Sequence, residues 1–236
     1  MAYLKSKNKL PHFCIIGEPT ASMQTGDVIK VGRRGAISGE VIIQGQQGHV
    51  AYPKQSDNAA HTAAKISNCL TELVWDQGCE DFPGTSLQIT SIDTGKWTDN
   101  IIPGSSKIAF NVRYSHKQSE QQVKNIISAK LAKFNEKASI RWLRPCQAYF
   151  TSTQAFNGVS LVTEVEKAIF NVCHRFPRLS TSGGTSDGRF IAQGNCQVVE
   201  LGVPNTSIHQ INEKVRLKDL YTLESIYIDL LSRMMS

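Results

Sequence analysis

The sequence predicts two consecutive strand-helix-strand units in residues 36–145. This order of elements limits the folds that the chain can adopt. Alternating apolar residues predict strands, most clearly over 108–114. Apolar residues at helical spacing follow the first strand over 57–74, and Ser119-Glu120-Gln121-Gln122 begins a second helix with a capping box. The resulting order, βαββαβ, predicts a ferredoxin-like module with one sheet and two helices on one side of it.

The segments on either side of this module have the pattern of a second α/β domain. Residues 13–17 predict a fully buried strand and 197–201 another, while 159–172 and 218–234 predict helices. The inward-facing residues expected of the last helix are Leu220, Leu223, Ile226, Tyr227, Leu230 and Leu231. These strands are few for a freestanding sheet. We therefore expect a partial catalytic domain in 1–35 and 146–236, interrupted by a separate domain in 36–145.

Charge and hydropathy exclude several classes of function. The net charge of +6 is spread along the chain without basic runs interleaved with aromatic residues, so nucleic acid is not an expected partner. A modest positive excess suits a small anionic substrate. The apolar runs are too short to span a bilayer, and no apolar stretch follows the basic N-terminus. The expectations are therefore no membrane and a cytoplasmic location.

Three polar residues stand where working side chains are often found. Glu18 follows the strand at 13–17, and carboxyl ends of strands are where open α/β sheets place their chemistry. His49 lies in a glycine-punctuated loop, and His209 lies in a loop after a predicted strand. The spacing alone leaves a functional role and an ordinary surface position equally open for these two histidines.

A glycine-containing loop and several arginines suggest recognition of anions. Free backbone N–H groups in 180–187 could bind a carboxylate or a phosphate, although an ordinary connector is the alternative. Arg33, Arg34 and Arg113 could each hold a carboxylate with two parallel hydrogen bonds, and surface solvation is the alternative for each.

Six motifs in one order carry a resemblance to a known family. They are Cys14-Ile15-Ile16-Gly17-Glu18-Pro19-Thr20, Gly32-Arg33-Arg34-Gly35, Gly48-His49-Val50-Ala51-Tyr52-Pro53, Asn100-Ile101-Ile102-Pro103, Ser182-Gly183-Gly184-Thr185-Ser186-Asp187 and His209-Gln210-Ile211-Asn212-Glu213. From about residue 10 onward the chain resembles the two-zinc M20 metallopeptidase and deacylase family, in particular its desuccinylases.

The resemblance implies a fold, a reaction and partners. The fold would be a zinc-binding catalytic domain interrupted by a βαββαβ lid that forms a homodimer. The reaction would be hydrolysis of N-succinyl-L,L-2,6-diaminopimelate, a small tricarboxylic substrate, to succinate and L,L-diaminopimelate. Another deacylase of the family, such as an acetylornithine deacetylase, is the competing enzyme.

The resemblance also implies roles for individual residues. Glu18 and His209 would each bind one zinc ion of a pair, with cobalt as an alternative metal, and His49 on the neighbouring subunit's lid would stabilise the oxyanion. The substrate-contacting positions would be Arg33, Tyr52, Asn100, Arg113, Gly184 and Thr185.

Several residues that the family needs have no counterpart in this sequence. No His-x-Asp motif, which supplies the first zinc ligand, and no Glu-Glu pair, which supplies the general base, occurs among the 236 residues. We therefore expect the chain alone to be inactive. It could be a fragment of a normal enzyme, one half of a split enzyme completed by an N-terminal segment, or a non-catalytic dimerisation module.

Overall fold

A computed structural model describes residues 2–192 and 196–235, which form two compact units. We call Gly35–Gln147 the inserted unit, and the described residues up to Arg34 and from Ala148 onward the outer unit. That these parts are a dimerisation domain and a partial catalytic domain stays a prediction, because it concerns their function.

The bounds of the elements follow in chain order. The strands are β1 (Phe13–Ile16), β2 (Val28–Lys30), β3 (Gly32–Arg33), β4 (Gly35–Gln44), β5 (Gly48–His49), β6 (Ser86–Asp93), β7 (Ile101–Ile102), β8 (Ser105–Tyr114), β9 (Ala138–Cys146), β10 (Tyr149–Phe150), β11 (Arg178–Ser180) and β12 (Gln197–Glu200). The helices are α1 (Ala2–Ser6), α2 (Ala59–Thr71), α3 (Glu120–Leu131), α4 (Leu161–Cys173), α5 (Gly188–Ile191) and α6 (Leu217–Met235), with 3-10 turns at Pro53–Gln55 and Ala132–Phe134.

The inserted unit has the predicted ferredoxin-like arrangement. Its main sheet is antiparallel with the order β6-β8-β4-β9, and α2 and α3 pack on it through their buried residues. Side chains along β8 alternate between buried and more exposed, as the sequence pattern requires. At Gly39 on β4, a Cβ atom would lie 2.3 Å from the Phe110 ring, so glycine lets an aromatic side chain cover the sheet there.

Side-chain caps fix where both helices of the inserted unit begin. The Asn58 side chain accepts hydrogen bonds from the N–H groups of Ala60 and His61 at the start of α2. At α3, Ser119 and Gln122 form the reciprocal pair of hydrogen bonds that the sequence predicts, so the capping box is confirmed.

The outer unit is built on a second four-stranded sheet with the order β1-β12-β2-β11. Strand β12 runs parallel to β1 and antiparallel to β2, and β3 pairs with β10 beside this sheet. Helices α4 and α6 pack on it, with Val165, Ile169 and Ile226 in a core that also contains Ile29 and Val199. The short strands β2, β3, β10 and β11 were not predicted from the sequence, because runs of two or three residues show no period.

Two predictions about burial in the outer unit are wrong. All four residues of β1 are half-buried rather than fully buried, since among the described residues β1 pairs on one side only. In α6, Leu220 and Leu231 are 42% and 58% exposed although both were expected to face inward. This helix carries a second, exposed apolar stripe formed by Leu217, Tyr221, Ile228, Leu231 and Met235. Spacing alone does not tell which of two apolar stripes faces the core.

No helix in the described part of the chain combines the length and the hydrophobicity that a membrane span requires.

The capping box of α3 gives a stability prediction for the inserted unit. Substituting Ser119→Ala removes the acceptor for the Gln122 N–H group and should lower the free energy of unfolding by about 1 kcal/mol. Urea unfolding followed by tryptophan fluorescence measures this unit selectively, because Trp75, Trp97 and Trp142 all lie within it.

The matched control is Ser128→Ala, a change at an exposed serine within the same helix. Alanine is favoured at such a position, so this variant should be as stable as the parent or slightly more stable. Equal stability of the two variants would contradict the capping role of Ser119.

Candidate active site

Five of the predicted site residues line one cavity of about 460 Å³ in the outer unit. They are Glu18, Arg33, Gly184, Thr185 and His209. Lys30 and Glu213 also line it, so the cavity brings cationic, carboxylate and imidazole side chains together. The remaining predicted residues, His49, Tyr52, Asn100 and Arg113, belong to the inserted unit.

A close approach of two backbone segments brings Glu18 and His209 to the same cavity. Glu18 follows β1, and the segment that leads to His209 begins after β12, which pairs with β1. At Gly202, a Cβ atom would lie 2.1 Å from the Glu18 carbonyl oxygen, so only glycine permits this approach. The Gly202 N–H group donates to Thr20 Oγ1 at 3.1 Å and holds the two segments together.

His209 has an unusual backbone conformation. Its φ is +62°, in the left-handed region that non-glycine residues seldom adopt. Ser207 stabilises the surrounding loop, because its Oγ donates to the Lys214 carbonyl at 2.9 Å and accepts from the Lys214 N–H group at 3.1 Å. Strained backbone that neighbouring hydrogen bonds hold in place is typical of functional sites. The exposed His209 side chain is consistent with that interpretation.

The glycine loop, residues 182–185, forms another wall of the cavity. Gly183 has a φ of +100°, and a Cβ atom there would lie 2.5 Å from Arg33 Nη1. The same Nη1 donates to the Ser182 carbonyl at 2.9 Å. Among the described residues, the N–H groups of Gly183, Gly184 and Thr185 make no backbone or side-chain hydrogen bond. These three donors remain available to an anionic ligand.

Arg33 is buried and paired. It is 8% exposed, and its Nε and Nη2 donate to the carboxylate of Glu200, which is fully buried at the end of β12. The sequence predicts that this fork-shaped guanidinium holds a substrate carboxylate. The structure instead shows one edge of the fork occupied by Glu200, leaving N–H groups on Nη1 and Nη2 for a ligand.

Lys30 is a cavity residue that the sequence reasoning missed. It lies on β2, and its Nζ donates to Ser180 Oγ at 3.1 Å and to Ser182 Oγ at 2.9 Å. Burial, followed by the charges of Arg33 and Arg178, lowers the pKa of Lys30 to about 8, although Glu200 opposes this effect. The sequence signal that could have indicated Lys30 is its position between the apolar residues Ile29 and Val31.

His49, Tyr52 and Asn100 lie together in the inserted unit. The pairing of β5 with β7 places His49 opposite Ile101, and the Val50 N–H group donates to the Asn100 carbonyl at 3.1 Å. The rings of His49 and Tyr52 are 5.8 Å apart between centroids. His49 Nδ1 accepts a hydrogen bond from the Ala51 N–H group at 3.1 Å, so in the neutral ring the proton is on Nε2. Because His49 is an exposed residue, Nε2 can donate to a ligand.

Arg113 lies apart from these three residues. It pairs with Ala36 near one end of the main sheet, whereas β5 and β7 adjoin the other end, where Gln44 pairs with Ser105. Arg113 is eight positions along the strand from Ser105, which corresponds to roughly 26 Å. Arg113 Nε donates to Asn111 Oδ1 at 2.9 Å.

The donor set present in this chain does not by itself fit a zinc centre. Carboxylate and imidazole groups suit zinc, and Glu18 and His209 line the same cavity. Within residues 2–192 and 196–235, however, no three His, Cys, Asp or Glu side chains lie close enough together to hold a metal ion. Three or four protein ligands are usual for zinc, so the described residues supply only part of a site.

Comparisons with known sequences agree with this architecture. A family model described as a peptidase dimerisation domain (M20) matches residues 31–139. The chain is 52% identical to succinyl-diaminopimelate desuccinylase 2 of Shewanella loihica over 233 residues, which are 98% of this chain and 61% of that protein. It is 49% identical to succinyl-diaminopimelate desuccinylase 1 of Alteromonas mediterranea, over 97% of this chain and 59% of that protein. The chain thus spans about 60% of the length of these relatives.

Solved structures share the fold. The M20 family metallo-carboxypeptidase Sso-CP2 of Sulfolobus solfataricus matches with a TM-score of 0.76 and 16% identity, over 98% of this chain and 65% of that one. Aminopeptidase PepT of Bacillus cereus matches with a TM-score of 0.73 and 21% identity, over 92% and 56% of the two chains. The chain therefore contains an M20 peptidase dimerisation domain and is homologous, over nearly all of its own length, to succinyl-diaminopimelate desuccinylases.

Proposed function

We propose that this chain forms the greater part of an enzyme that hydrolyses N-succinyl-L,L-2,6-diaminopimelate to succinate and L,L-diaminopimelate. The observation that carries the proposal is the 52% identity to a curated desuccinylase over 98% of the chain. The cavity of the outer unit supports it, because five residues expected at the site from the motifs line that one cavity.

The chemistry of the cavity suits a substrate with three carboxylates. Lys30 supplies a positive charge, Arg33 supplies directional N–H groups, and the glycine loop supplies three backbone N–H groups. Such donors bind carboxylates more strongly than they bind neutral groups. We assign the succinyl carboxylate to this wall, with Arg33, Gly184 and Thr185 as contacts.

The remaining assignments extend to the other unit. We assign Tyr52, Asn100 and Arg113 to substrate contacts, and His49 to stabilisation of the oxyanion from the lid of the neighbouring subunit. A donor fixed on His49 Nε2 supports this role, since an oxyanion requires a hydrogen-bond donor. The match to a dimerisation domain supports a homodimer, and the cytoplasm is the predicted compartment.

We assign Glu18 and His209 to a pair of zinc ions, one residue to each ion, with cobalt as an alternative metal. The described residues do not complete such a centre, so the remaining ligands and the general base would come from further polypeptide. The exposed apolar stripe of α6 and the one-sided pairing of β1 support an additional segment, because both expose surface that a complete domain would bury.

A chimera tests the proposed function. The portion of the Shewanella loihica relative that matches this chain is replaced by this chain, and the product is assayed with zinc on succinyl-diaminopimelate and on acetylornithine. We expect hydrolysis of the succinylated substrate, and loss of activity in Glu18→Ala and His209→Ala chimeras.

The 236-residue chain alone serves as the comparison. We expect substoichiometric zinc and no hydrolysis, because the described residues supply only part of a zinc site. Tight stoichiometric zinc with turnover by the chain alone would contradict the expected dependence on further polypeptide. A folded chimera that hydrolyses only acetylornithine would contradict the substrate assignment.

The lowered pKa of Lys30 gives a prediction of pH dependence. Because its folded pKa is about 8, Lys30 loses its charge as the pH rises through that value. The affinity of the chain for succinate should therefore fall by roughly tenfold between pH 7 and pH 9, measured by calorimetric titration.

Two substitutions at this position serve as matched variants. Lys30→Arg keeps its charge over this range and should show a flat profile, whereas Lys30→Met should bind weakly at both pH values. A parent profile that does not change with pH would rule out Lys30 as the titrating contact.

A further inference from the structure

Glu200 has no assigned role among the motifs, yet three other side chains beside the cavity donate hydrogen bonds to it. It is fully buried, and its two carboxylate oxygens accept hydrogen bonds from Arg33, from the Tyr149 hydroxyl and from the Ser186 hydroxyl. These donors come from β3, from β10 and from the segment before α5. One buried carboxylate therefore joins three parts of the outer unit that lie far apart in the sequence.

The partners of Glu200 hold both ends of the glycine loop. At the first end, Arg33 Nη1 donates to the Ser182 carbonyl at 2.9 Å. At the other end, Ser186 donates directly to Glu200, and its Oγ also accepts from the Gly188 N–H group at 3.3 Å. The loop between these anchors carries the free backbone donors of the cavity, so the position of Glu200 determines where those donors point.

We propose that Glu200 is the positioning residue of the anion-binding wall, and that it fixes the glycine loop and the guanidinium of Arg33 for a carboxylate ligand. This inference rests on the proposed function, because it assumes that the cavity binds the succinyl carboxylate. Glu200 does not touch the ligand. It acts through Arg33 and Ser186.

A positioning role and a purely electrostatic role of Glu200 predict opposite changes in carboxylate affinity when Glu200 is replaced by a neutral residue. The Glu200 carboxylate repels an anionic ligand, so its removal as a charge alone should strengthen carboxylate binding. If Glu200 positions the wall, its removal should weaken binding although the cavity becomes more positive. The sign of the change therefore separates the two roles.

The experiment measures succinate affinity in the parent chain and three variants by calorimetric titration. Glu200→Gln removes the charge, and Tyr149→Phe removes one donor to the carboxylate while it keeps the ring. Tyr114→Phe is the matched control, since it deletes the hydroxyl of another buried tyrosine, which donates to the Cys146 carbonyl in the inserted unit.

We expect affinity to fall about tenfold in Glu200→Gln and about threefold in Tyr149→Phe, with Tyr114→Phe unchanged, because charge-assisted hydrogen bonds are the stronger ones. If Glu200→Gln does not fold, because Arg33 is left buried without its partner, the Tyr149→Phe result decides. Equal or tighter binding in the folded variants would overturn the proposal.

A second readout does not depend on the ligand. Hydrogen–deuterium exchange at residues 182–186 should become faster in Glu200→Gln and Tyr149→Phe, and should not change in Tyr114→Phe. Unchanged loop exchange in the folded variants would overturn the positioning role. If the parent fails to bind succinate while the loop exchange changes as expected, the proposed function fails and the positioning role stands.

Discussion

Arg33 and Glu200 carry opposite charges in a place where one side chain is largely and the other fully removed from water, and the candidate site is built around their contact. Loss of one partner from such a buried pair costs about 3–5 kcal/mol, because the remaining charge is left unpaired. The pair also connects β3, which leads into the inserted unit, with β12, which leads towards His209. Folding of the outer unit and construction of the cavity therefore depend on the same contact.

The cavity combines rigid parts with available donors. Gly183 lies close to the Arg33 side chain and Gly202 lies close to the Glu18 backbone, and a Cβ atom at either glycine would clash with its neighbour. Lys30 and the N–H groups of the glycine loop face a space that also contains Glu18 and His209. The wall that we propose binds an anion thus lies beside two groups suited to metal ions, as the proposed hydrolysis of an acidic amide requires.

The sequence predicted those features that depend on regular spacing or on contiguous motifs. The βαββαβ order of the inserted unit followed from strand alternation and from the capping box at Ser119, and the structure confirms it. The motifs around Glu18 and His209 contain residues that line one cavity. The roles assigned to those residues remain predictions.

Features that depend on long-range pairing could not be predicted. Arg33 and Glu200 are 167 positions apart, and no local pattern indicates that they meet. Lys30 was missed because β2 has only three residues, too few to show a period. The burial of β1, and of Leu220 and Leu231 in α6, was predicted wrongly for a related reason. Apolar spacing shows that a surface is suited to burial, but it does not show whether these residues provide the partner that buries it.

The central claim is that the wall formed by Lys30, Arg33 and the glycine loop binds the succinyl carboxylate. A crystal structure of the chain grown with saturating succinate tests this claim most directly. The account predicts one carboxylate of the ligand within about 3 Å of Lys30 Nζ and of the N–H groups of residues 183–185. Succinate bound elsewhere, or a cavity that contains only solvent at saturating concentration, would contradict it.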